Sequence, residues 1–175
     1  GAGYVVEVKH LNATDYGVPQ NRIRVFIVGS RNDLPKQKRY RFPEPTHSKN
    51  PDLLGGKKWL TIEEALKGIP EPDENHNLKN HVCSQYKVTN RNFTGHRTTD
   101  PAKPCPTILA RGNGKGGVCA IQHHKNHRRL SVRESAIIQT FPRNFVFSGM
   151  LNSMYRQVGN AVPVLLARRL AEQLK

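Results

Sequence analysis

Two apolar segments near the start of the chain are separated by a turn. "YVVEVKHLNA" alternates between apolar and polar residues and is rich in valine, which predicts a β-strand. "RVFIVGSR" is a continuous apolar run with β-branched residues, which is typical of a strand buried on both faces. Between them, Gly17 and Pro19 predict a turn, because glycine tolerates a positive φ and proline fixes its own φ.

Three later segments carry helix signals. Thr61 and Glu64 in "LTIEEALKGIP" fit a capping box, as do Ser131 and Glu134 in "LSVRESAIIQTFP". "GNAVPVLLARRLAEQLK" predicts a last helix, with Asn160 as the N-cap, Pro163 in the first turn, and a buried stripe that repeats every four residues at Leu166, Leu170 and Leu174. The pattern indicates an α/β core that is interrupted by a long, loop-rich and basic insert.

The charge balance narrows the class of partner. The 175 residues include 28 Lys and Arg against 13 Asp and Glu, which gives a formal net charge of +15. Such an excess favours a polyanion, and nucleic acid fits better than an acidic membrane surface because the final helix is too balanced to bind lipid. The alternative is a basic protein whose charge serves only solubility.

Other compositional features concern the compartment. No apolar run is long enough to cross a bilayer and no signal peptide opens the chain, so we expect no membrane attachment. The three cysteines, Cys83, Cys105 and Cys119, share no C-x-x-C spacing and are odd in number, which predicts reduced thiols. The expected location is the cytoplasm, associated with the nucleoid.

Three stretches resemble a known family in their order and spacing. "YGVPQNRIRVFIVGSR", "RRLSVRESAIIQTFPRNFVFSG" and "YRQVGNAVPVLLARRL" resemble motifs VIII, IX and X of the DNA cytosine-5 methyltransferases. "TTDPAKPCPTILARGNGKGG" is similar to the start of that family's target recognition region. The resemblance implies an α/β fold, namely the C-terminal part of a Rossmann-like S-adenosylmethionine-dependent methyltransferase domain plus a small, loop-rich target recognition domain.

The same resemblance implies a division of the chain. Residues 1–45 end the catalytic domain around motif VIII, residues 46–154 form the target recognition domain including motif IX, and residues 155–175 return to the catalytic domain as the motif X helix. Within motif IX, Glu134 is expected to cap its helix and not to act as a general acid. The sequence does not decide whether Arg133 pairs near Glu134 or with a phosphate.

Enzymes of this family flip the target cytosine out of the duplex, and the extruded base must be held at its polar edge. The resemblance implies that Arg24 donates to O2 of that cytosine, that Arg22 holds a backbone phosphate or neighbouring catalytic groups, and that Gln20 shapes the pocket wall. Alternate positions of an extended chain share one side, so all three side chains are expected to face one cleft. The alternative is that both arginines are ordinary solvent-facing strand residues.

Motif X lines the S-adenosylmethionine pocket in the family, and the matching residues here are Asn160, Ala161 and Val162. At a helix N-terminus, their free N–H groups and the positive end of the dipole would receive polar atoms of the cofactor. The alternative is that Asn160 only caps its helix, and the two roles can coexist.

Contacts with DNA are expected from the segment that follows the Pro-x-Pro-Thr stretch. By resemblance, Thr107 is a phosphate contact or an anchor at the start of the recognition region. Arg111, Asn113 and Lys115 lie in "ARGNGKGG", where a glycine-rich backbone can approach a groove closely.

The family's remaining chemistry precedes motif VIII and is not present in this chain. It comprises a Pro-Cys-Gln nucleophile, a Glu-Asn-Val carboxylate and a Phe-x-Gly-x-Gly cofactor loop. Cys105 in "KPCPTI" is a poor substitute, because it follows motif VIII, precedes Pro106 and has no activating neighbours. We therefore expect the chain alone to be inactive. It is either the C-terminal part of a longer polypeptide or one subunit of a split methyltransferase, with the N-terminal catalytic half as its partner.

The predicted function is thus a share in methyl transfer from S-adenosylmethionine to C5 of a flipped cytosine in double-stranded DNA, in an enzyme of bacterial or phage type. The alternative is a non-catalytic, sequence-specific DNA-binding module or specificity subunit. A pure DNA reader would have no use for the cofactor-wall segment "QVGNAVP" or for "PQNRIR", so these segments favour the enzyme.

One cluster could suggest zinc. Cys119, His123, His124 and His127 lie close together in "CAIQHHKNH". Tetrahedral zinc sites usually use two pairs of ligands with a loop between them, and this crowded spacing does not provide that. We therefore expect no metal.

Overall fold

The computed structural model describes residues 2–84, 99–110, 120–125 and 128–174. Its strands are β1 (Tyr4–Asn12), β2 (Ile23–Arg31), β3 (His47–Ser48) and β4 (Lys57–Lys58). Its helices are α1 (Pro51–Leu54), α2 (Ile62–Leu66), α3 (Val132–Ile138), α4 (Leu151–Asn160) and α5 (Val164–Ala171), with short 3-10 turns at Ala13–Tyr16, Lys36–Lys38 and Glu172–Leu174. Among the described residues, no helix is long and apolar enough to span a bilayer.

The two predicted strands are confirmed and form an antiparallel pair. The register runs from Tyr4 opposite Arg31 to Asn12 opposite Ile23. The connection is ordered by the 3-10 turn, which ends at Gly17 with a φ of 83°. A Cβ at Gly17 would lie 2.8 Å from Cε1 of His47, so both the backbone conformation and the packing require glycine there. β3 and β4 make a separate, short parallel pair.

The prediction that β2 is buried on both faces is wrong for this structure. Exposed and half-buried residues alternate along the strand, and Ile23, Val25 and Ile27 are exposed on one face. Val6 and Val8 of β1 extend that face, because Val8 pairs with Ile27. The reason is that helix α5 covers only the other side of the two-stranded sheet. We call the exposed side, comprising these five residues, the open sheet face.

The covered side packs on the smaller of two hydrophobic cores, whose buried members are Leu11, Ala13, Tyr16, Val18 and Leu166. Leu166 and Leu170 of the predicted stripe contact this core. Leu174 does not, since it is 71% exposed in the terminal 3-10 turn, where the helical spacing is lost.

The larger core is built from α2, α3, α4 and the segments between them. Its buried residues are Ile62, Leu66, Cys105, Ile108, Ile121, Leu130, Val132, Ala136, Ile138, Phe147, Met154, Tyr155 and Val158. Both predicted capping boxes are confirmed: the Thr61 and Ser131 hydroxyls accept from the backbone N–H three residues on, and the Glu64 and Glu134 carboxylates accept in return. The caps fix where α2 and α3 begin and so direct their apolar faces into this core.

Asn160 is not the N-cap of the last helix, contrary to the prediction. It is the last residue of α4, a helix that the sequence analysis did not foresee, and Pro163 holds the N-cap position of α5. The helix continues to Asn160 because Met154, Tyr155 and Val158 anchor one of its faces in the larger core.

Candidate functional site

A short parallel contact brings the segment after Cys105 against the segment before β2. The Cys105 N–H donates to the Pro19 carbonyl at 2.9 Å, and the Asn21 N–H donates to the Cys105 carbonyl at 2.8 Å. The contact places Thr107 beside Asn21, whose carbonyl accepts from Thr107 Oγ1 at 2.7 Å. Two regions more than eighty residues apart in sequence therefore meet immediately before Arg24.

Arg24 lies at the edge of the cleft that this contact creates. The cleft measures about 320 Å³ and is lined by Asn21, Ile23, Arg24, Pro106 and Thr107. Arg24 Nη1 donates to the carbonyl of its neighbour Ile23 at 2.6 Å, and within the described ranges no carboxylate forms a salt bridge with this arginine. A half-buried guanidinium with this setting can donate to a carbonyl or a phosphate oxygen placed in the cleft.

Arg22 is not placed for the phosphate contact, which was one of its two predicted roles. Its side chain is 3% exposed, which puts it out of reach of a DNA phosphate. Nη1 donates to the Ile108 carbonyl at 2.8 Å, while Nη2 donates to the carbonyls of Gly159 and Ala161 at 3.0 and 3.2 Å. Burial, together with the nearby charge of Arg24, lowers the pKa of Arg22 to about 10, so the guanidinium remains protonated at neutral pH.

Gln20 is fully buried and does not line the cleft, which corrects the expected pocket wall. Its Oε1 accepts from the Ile108 N–H at 3.0 Å. Gln20 and Arg22 therefore hold the N–H and the carbonyl of one residue between them, and only Arg24 of the three faces the cleft. The difference comes from the segment around Ile108, which binds both Gln20 and Arg22 and buries them, whereas Arg24 is only half-buried beside the cleft.

The three residues that were predicted to bind the cofactor lie at the end of α4, which is Asn160, and in the turn before α5, which holds Ala161 and Val162. Their N–H groups are not those of a helix N-terminus: the Ala161 N–H donates to the Val158 carbonyl at 3.3 Å. The first two amides of α5 are satisfied by the Gln139 carbonyl at 3.1 Å and the Thr140 hydroxyl at 2.9 Å. Asn160 and Val162, on either side of Ala161, are exposed to solvent.

Glu134 has the structural setting that the sequence indicated. Its carboxylate is 1% exposed, accepts from the Ser131 N–H at 2.7 Å and forms a two-pronged salt bridge with Arg128 at 2.7 and 2.8 Å. Burial alone would raise the pKa of Glu134, but the hydrogen bonds and charge of Arg128 lower it below its usual value. Glu71 also binds Arg128, at 2.8 Å, and completes a compact ion-pair network.

Arg133 takes neither of the two roles left open by the sequence. It is fully buried, and its guanidinium donates to the carbonyls of Lys79, Pro142 and Phe145 at 2.7, 3.3 and 2.5 Å. It therefore ties two loop segments to α3, one at Lys79 and one over Pro142 and Phe145, as Arg22 ties loops near β2.

The remaining candidates divide between buried residues and residues beyond the described ranges. Cys105 is fully buried in the larger core, a place that no substrate reaches. His123 and His124 stack at 4.5 Å, and no group of three or more potential ligands in the described ranges is arranged to hold a metal ion. Outside those ranges lie Cys119 and His127, together with the predicted DNA contacts Arg111, Asn113 and Lys115.

Sequence reasoning missed two residues that shape the site. The Ile108 backbone joins Gln20 to Arg22, and Gly159 allows α4 to approach the preceding chain. A Cβ at Gly159 would lie 2.4 Å from the Ala110 nitrogen. The glycine in "RQVGN" was the available signal, because a glycine next to an apolar helix residue often marks a close backbone approach.

Comparison with known proteins identifies the family. The family model for C-5 cytosine-specific DNA methylases matches residues 1–175. The chain belongs to this family. Type II methyltransferase M.BspRI of Lysinibacillus sphaericus is 38% identical to this methylase chain, covering 99% of it and 44% of the relative. M.MthTI of Methanothermobacter thermautotrophicus is 36% identical, covering 99% of the chain and 57% of the relative.

This methylase chain thus spans about half the length of the curated relatives it matches. Its fold is similar to that of the S. pombe Dnmt2 methyltransferase, with a TM-score of 0.62 at 17% identity, over 98% of this chain and 58% of that one. The Entamoeba histolytica methyltransferase EhMeth gives a TM-score of 0.58 at 14% identity, over 98% of this chain and 53% of that one. These likenesses confirm the predicted α/β methyltransferase fold.

Proposed function

We propose that this chain supplies the base-binding cleft, the target recognition region and one edge of the cofactor site of a DNA cytosine-5 methyltransferase. The complete enzyme transfers a methyl group from S-adenosylmethionine to C5 of a flipped cytosine in double-stranded DNA. The observation that carries this proposal is the cleft in which Arg24 from β2 meets Thr107 from the start of the recognition region. Family membership supports the reaction class.

Arg24 is the base-contacting residue in this proposal. A flipped cytosine exposes its O2 carbonyl, and a guanidinium presents donors in a planar fork that suits such an acceptor. The Nη1 bond to the Ile23 carbonyl fixes the orientation of the fork at the cleft edge. Thr107, which also lines the cleft, positions the DNA backbone, and Arg111, Asn113 and Lys115 add contacts to the duplex.

The edge of the cofactor site is assigned to Asn160, Ala161 and Val162. The turn fits this role in part, because the Asn160 side chain is exposed while Arg22 holds the backbone of the turn through the carbonyls of Gly159 and Ala161. S-adenosylmethionine, when bound, supplies the electrophilic methyl group. The contribution of this chain is to orient one side of the cofactor and to shield it from water.

The open sheet face is proposed to dock the N-terminal catalytic half, whether that half is part of the same polypeptide or a separate subunit. Val6, Val8 and Ile27 are 57%, 60% and 70% exposed on this face, and a contiguous apolar surface of this kind marks a site of interaction. The partner half brings the cysteine nucleophile, the carboxylate and the cofactor loop. Under this proposal the chain alone is inactive, and residues 1–45, 46–154 and 155–175 divide into catalytic, recognition and catalytic parts.

Replacing Arg24 tests the base contact. In the complete enzyme, formed by this chain with a polypeptide that carries the missing motifs, Arg24→Ala should lower the rate of methyl transfer on the order of 100-fold or more. Affinity for duplex DNA should change by only a few fold, because phosphate contacts elsewhere dominate binding. The matched control is Arg168→Ala on the exposed side of α5, which should leave both properties unchanged. Methyl transfer within a few fold of wild type in Arg24→Ala would remove the proposed base contact.

A further inference from the structure

Arg22 joins two segments that the proposed function assigns to different ligands. Through Nη1 it holds the carbonyl of Ile108, next to the cleft residue Thr107. Through Nη2 it holds the carbonyls of Gly159, in the last turn of α4, and of Ala161, one of the residues assigned to the cofactor. The three acceptor oxygens lie 2.8 to 3.2 Å from nitrogens of one planar guanidinium. A movement of either segment relative to the other therefore breaks a hydrogen bond to Arg22.

Neighbouring contacts make this connection stiff. Gln20 Oε1 accepts from the Ile108 N–H at 3.0 Å, so both polar backbone groups of Ile108 are held by one short stretch. Gly159 lies directly against the backbone of Leu109 and Ala110, where even a single added carbon would overlap. A shift of the turn is therefore transmitted to the segment that ends at Ala110.

The C-terminus of α4 depends on the same side chain. The last carbonyls of a helix lack intrahelical partners and carry the negative end of the helix dipole. Gln139 Nε2 satisfies the Val158 carbonyl at 2.9 Å, and the Arg22 guanidinium satisfies the next one, at Gly159. The buried Arg22 guanidinium therefore caps the C-terminus of α4 and binds the loop at Ile108 in one fixed geometry.

We propose that Arg22 is a positioning residue that couples the binding of the methyl donor to the binding of DNA. When the methyl donor binds at Asn160–Val162, it holds the carbonyls of Gly159 and Ala161 in place. Because Arg22 bonds to these carbonyls and to that of Ile108, Ile108 and the adjoining cleft are then held in place as well. Each ligand then strengthens the binding of the other by the same factor, as thermodynamic linkage requires. This inference rests on the proposed function, and it assigns Arg22 no contact with base, phosphate or cofactor.

The test is a binding cycle on the complete enzyme, with S-adenosylhomocysteine as the cofactor probe and a duplex that the wild-type enzyme methylates. The Kd for the duplex is measured with and without the probe, and the ratio of the two is the coupling factor. We expect a wild-type factor between about 5 and 150, which is the usual range for coupled sites. Arg22→Lys, which keeps the charge but loses the fork, should bring the factor close to one while the Kd for DNA without the probe changes little.

Two further variants test whether the change in coupling is specific to the contacts around Ile108. Gln20→Leu removes the second hold on Ile108 and should reduce the coupling factor partially, and circular dichroism confirms that each variant is folded. Arg168→Lys is the matched control on an exposed arginine and should keep the wild-type factor. A wild-type factor of one, or a factor that survives in Arg22→Lys, would overturn the inference. A wild-type complex without methyl transfer would instead refute the proposed function.

Discussion

Replacing Glu134 distinguishes a structural carboxylate from a catalytic one. The Glu134 side chain is 1% exposed and accepts from Arg128 and from the Ser131 N–H, so it serves the ion-pair network and the cap of α3 together. In Glu134→Ala the Arg128 guanidinium keeps its salt bridge with Glu71 and its bond to the Arg129 carbonyl but loses both bonds to Glu134, and the Ser131 N–H loses its acceptor in a buried place. In Glu134→Gln the cap keeps an acceptor, but the negative charge is lost.

The sizes of the two effects follow from these contacts. Removing one partner of a buried ion pair costs about 3–5 kcal/mol of unfolding free energy, and we expect Glu134→Ala to fall in that range. In Glu134→Gln the amide oxygen can still accept from the Ser131 N–H and from one Arg128 N–H, but the amide NH2 is a donor and cannot accept the other Arg128 N–H. Loss of one hydrogen bond to a charged group costs about 1.5–3 kcal/mol, so the expected cost is about 2 kcal/mol. The order wild type, Gln, Ala is therefore predicted for stability.

Urea unfolding of the 175-residue chain, followed by circular dichroism, measures both costs. Glu172→Ala is the matched control, because Glu172 pairs with Arg168 and Arg169 on the surface, and its removal should be nearly silent. The reasoning is refuted if Glu134→Gln keeps wild-type stability and yet abolishes methyl transfer in the complete enzyme. That result would make Glu134 a catalytic acid and not a cap.

Three further predictions concern other parts of the molecule. Burial lowers the pKa of His123 from 6.5 to about 4, so the contribution of its neutral ring to stability is fully present above pH 6.5 and is lost as the pH falls. Between pH 6.5 and pH 5 the free energy of unfolding should fall by about 2 kcal/mol. His123→Gln should flatten this part of the pH profile. Gly159→Ala forces Cβ against the Ala110 backbone and should lower the free energy of unfolding in urea by about 3 kcal/mol or more. In the control Gly29→Ala the new Cβ meets the Tyr4 side chain at 3.4 Å, and the cost should be less than about 0.5 kcal/mol. Equal losses in the two variants would contradict the close approach at Gly159. Ile27→Lys on the open sheet face should leave the chain's own unfolding unchanged and abolish its co-purification with the N-terminal half, and retained co-purification would place the docking surface elsewhere.

Local signals in the sequence were sufficient for the elements whose ends are fixed by neighbouring residues. The capping boxes at Thr61 and Ser131 specify where α2 and α3 begin, because the donor, the acceptor and the carboxylate lie within one turn. The strands β1 and β2 were equally clear from their β-branched composition.

The end of α4 was not predictable in this way. Asn160 looks like an N-cap to a local reading, since it precedes an apolar run and a proline. In the fold it ends a helix instead, because Tyr155 and Val158 are anchored in a core formed by residues far away in sequence. Tertiary packing overrode the local preference.

The roles of the buried arginines were out of reach for a similar reason. Arg22 and Arg24 are chemically identical and stand two positions apart, but one binds three distant carbonyls and the other faces the cleft. The acceptors of Arg22 belong to Ile108, Gly159 and Ala161, and no pattern in the strand itself indicates them. The cleft likewise required the meeting of residues 21–24 with residues 106–107, which only the fold brings about.

The most direct test of the central claim is transfer of labelled methyl from S-adenosylmethionine to mixed-sequence DNA. Three samples are compared: this chain alone, a polypeptide that carries the missing N-terminal motifs alone, and the two together. The account predicts label in DNA only from the mixture. Label from this chain alone, or duplex binding without any methyl transfer in the mixture, would contradict it.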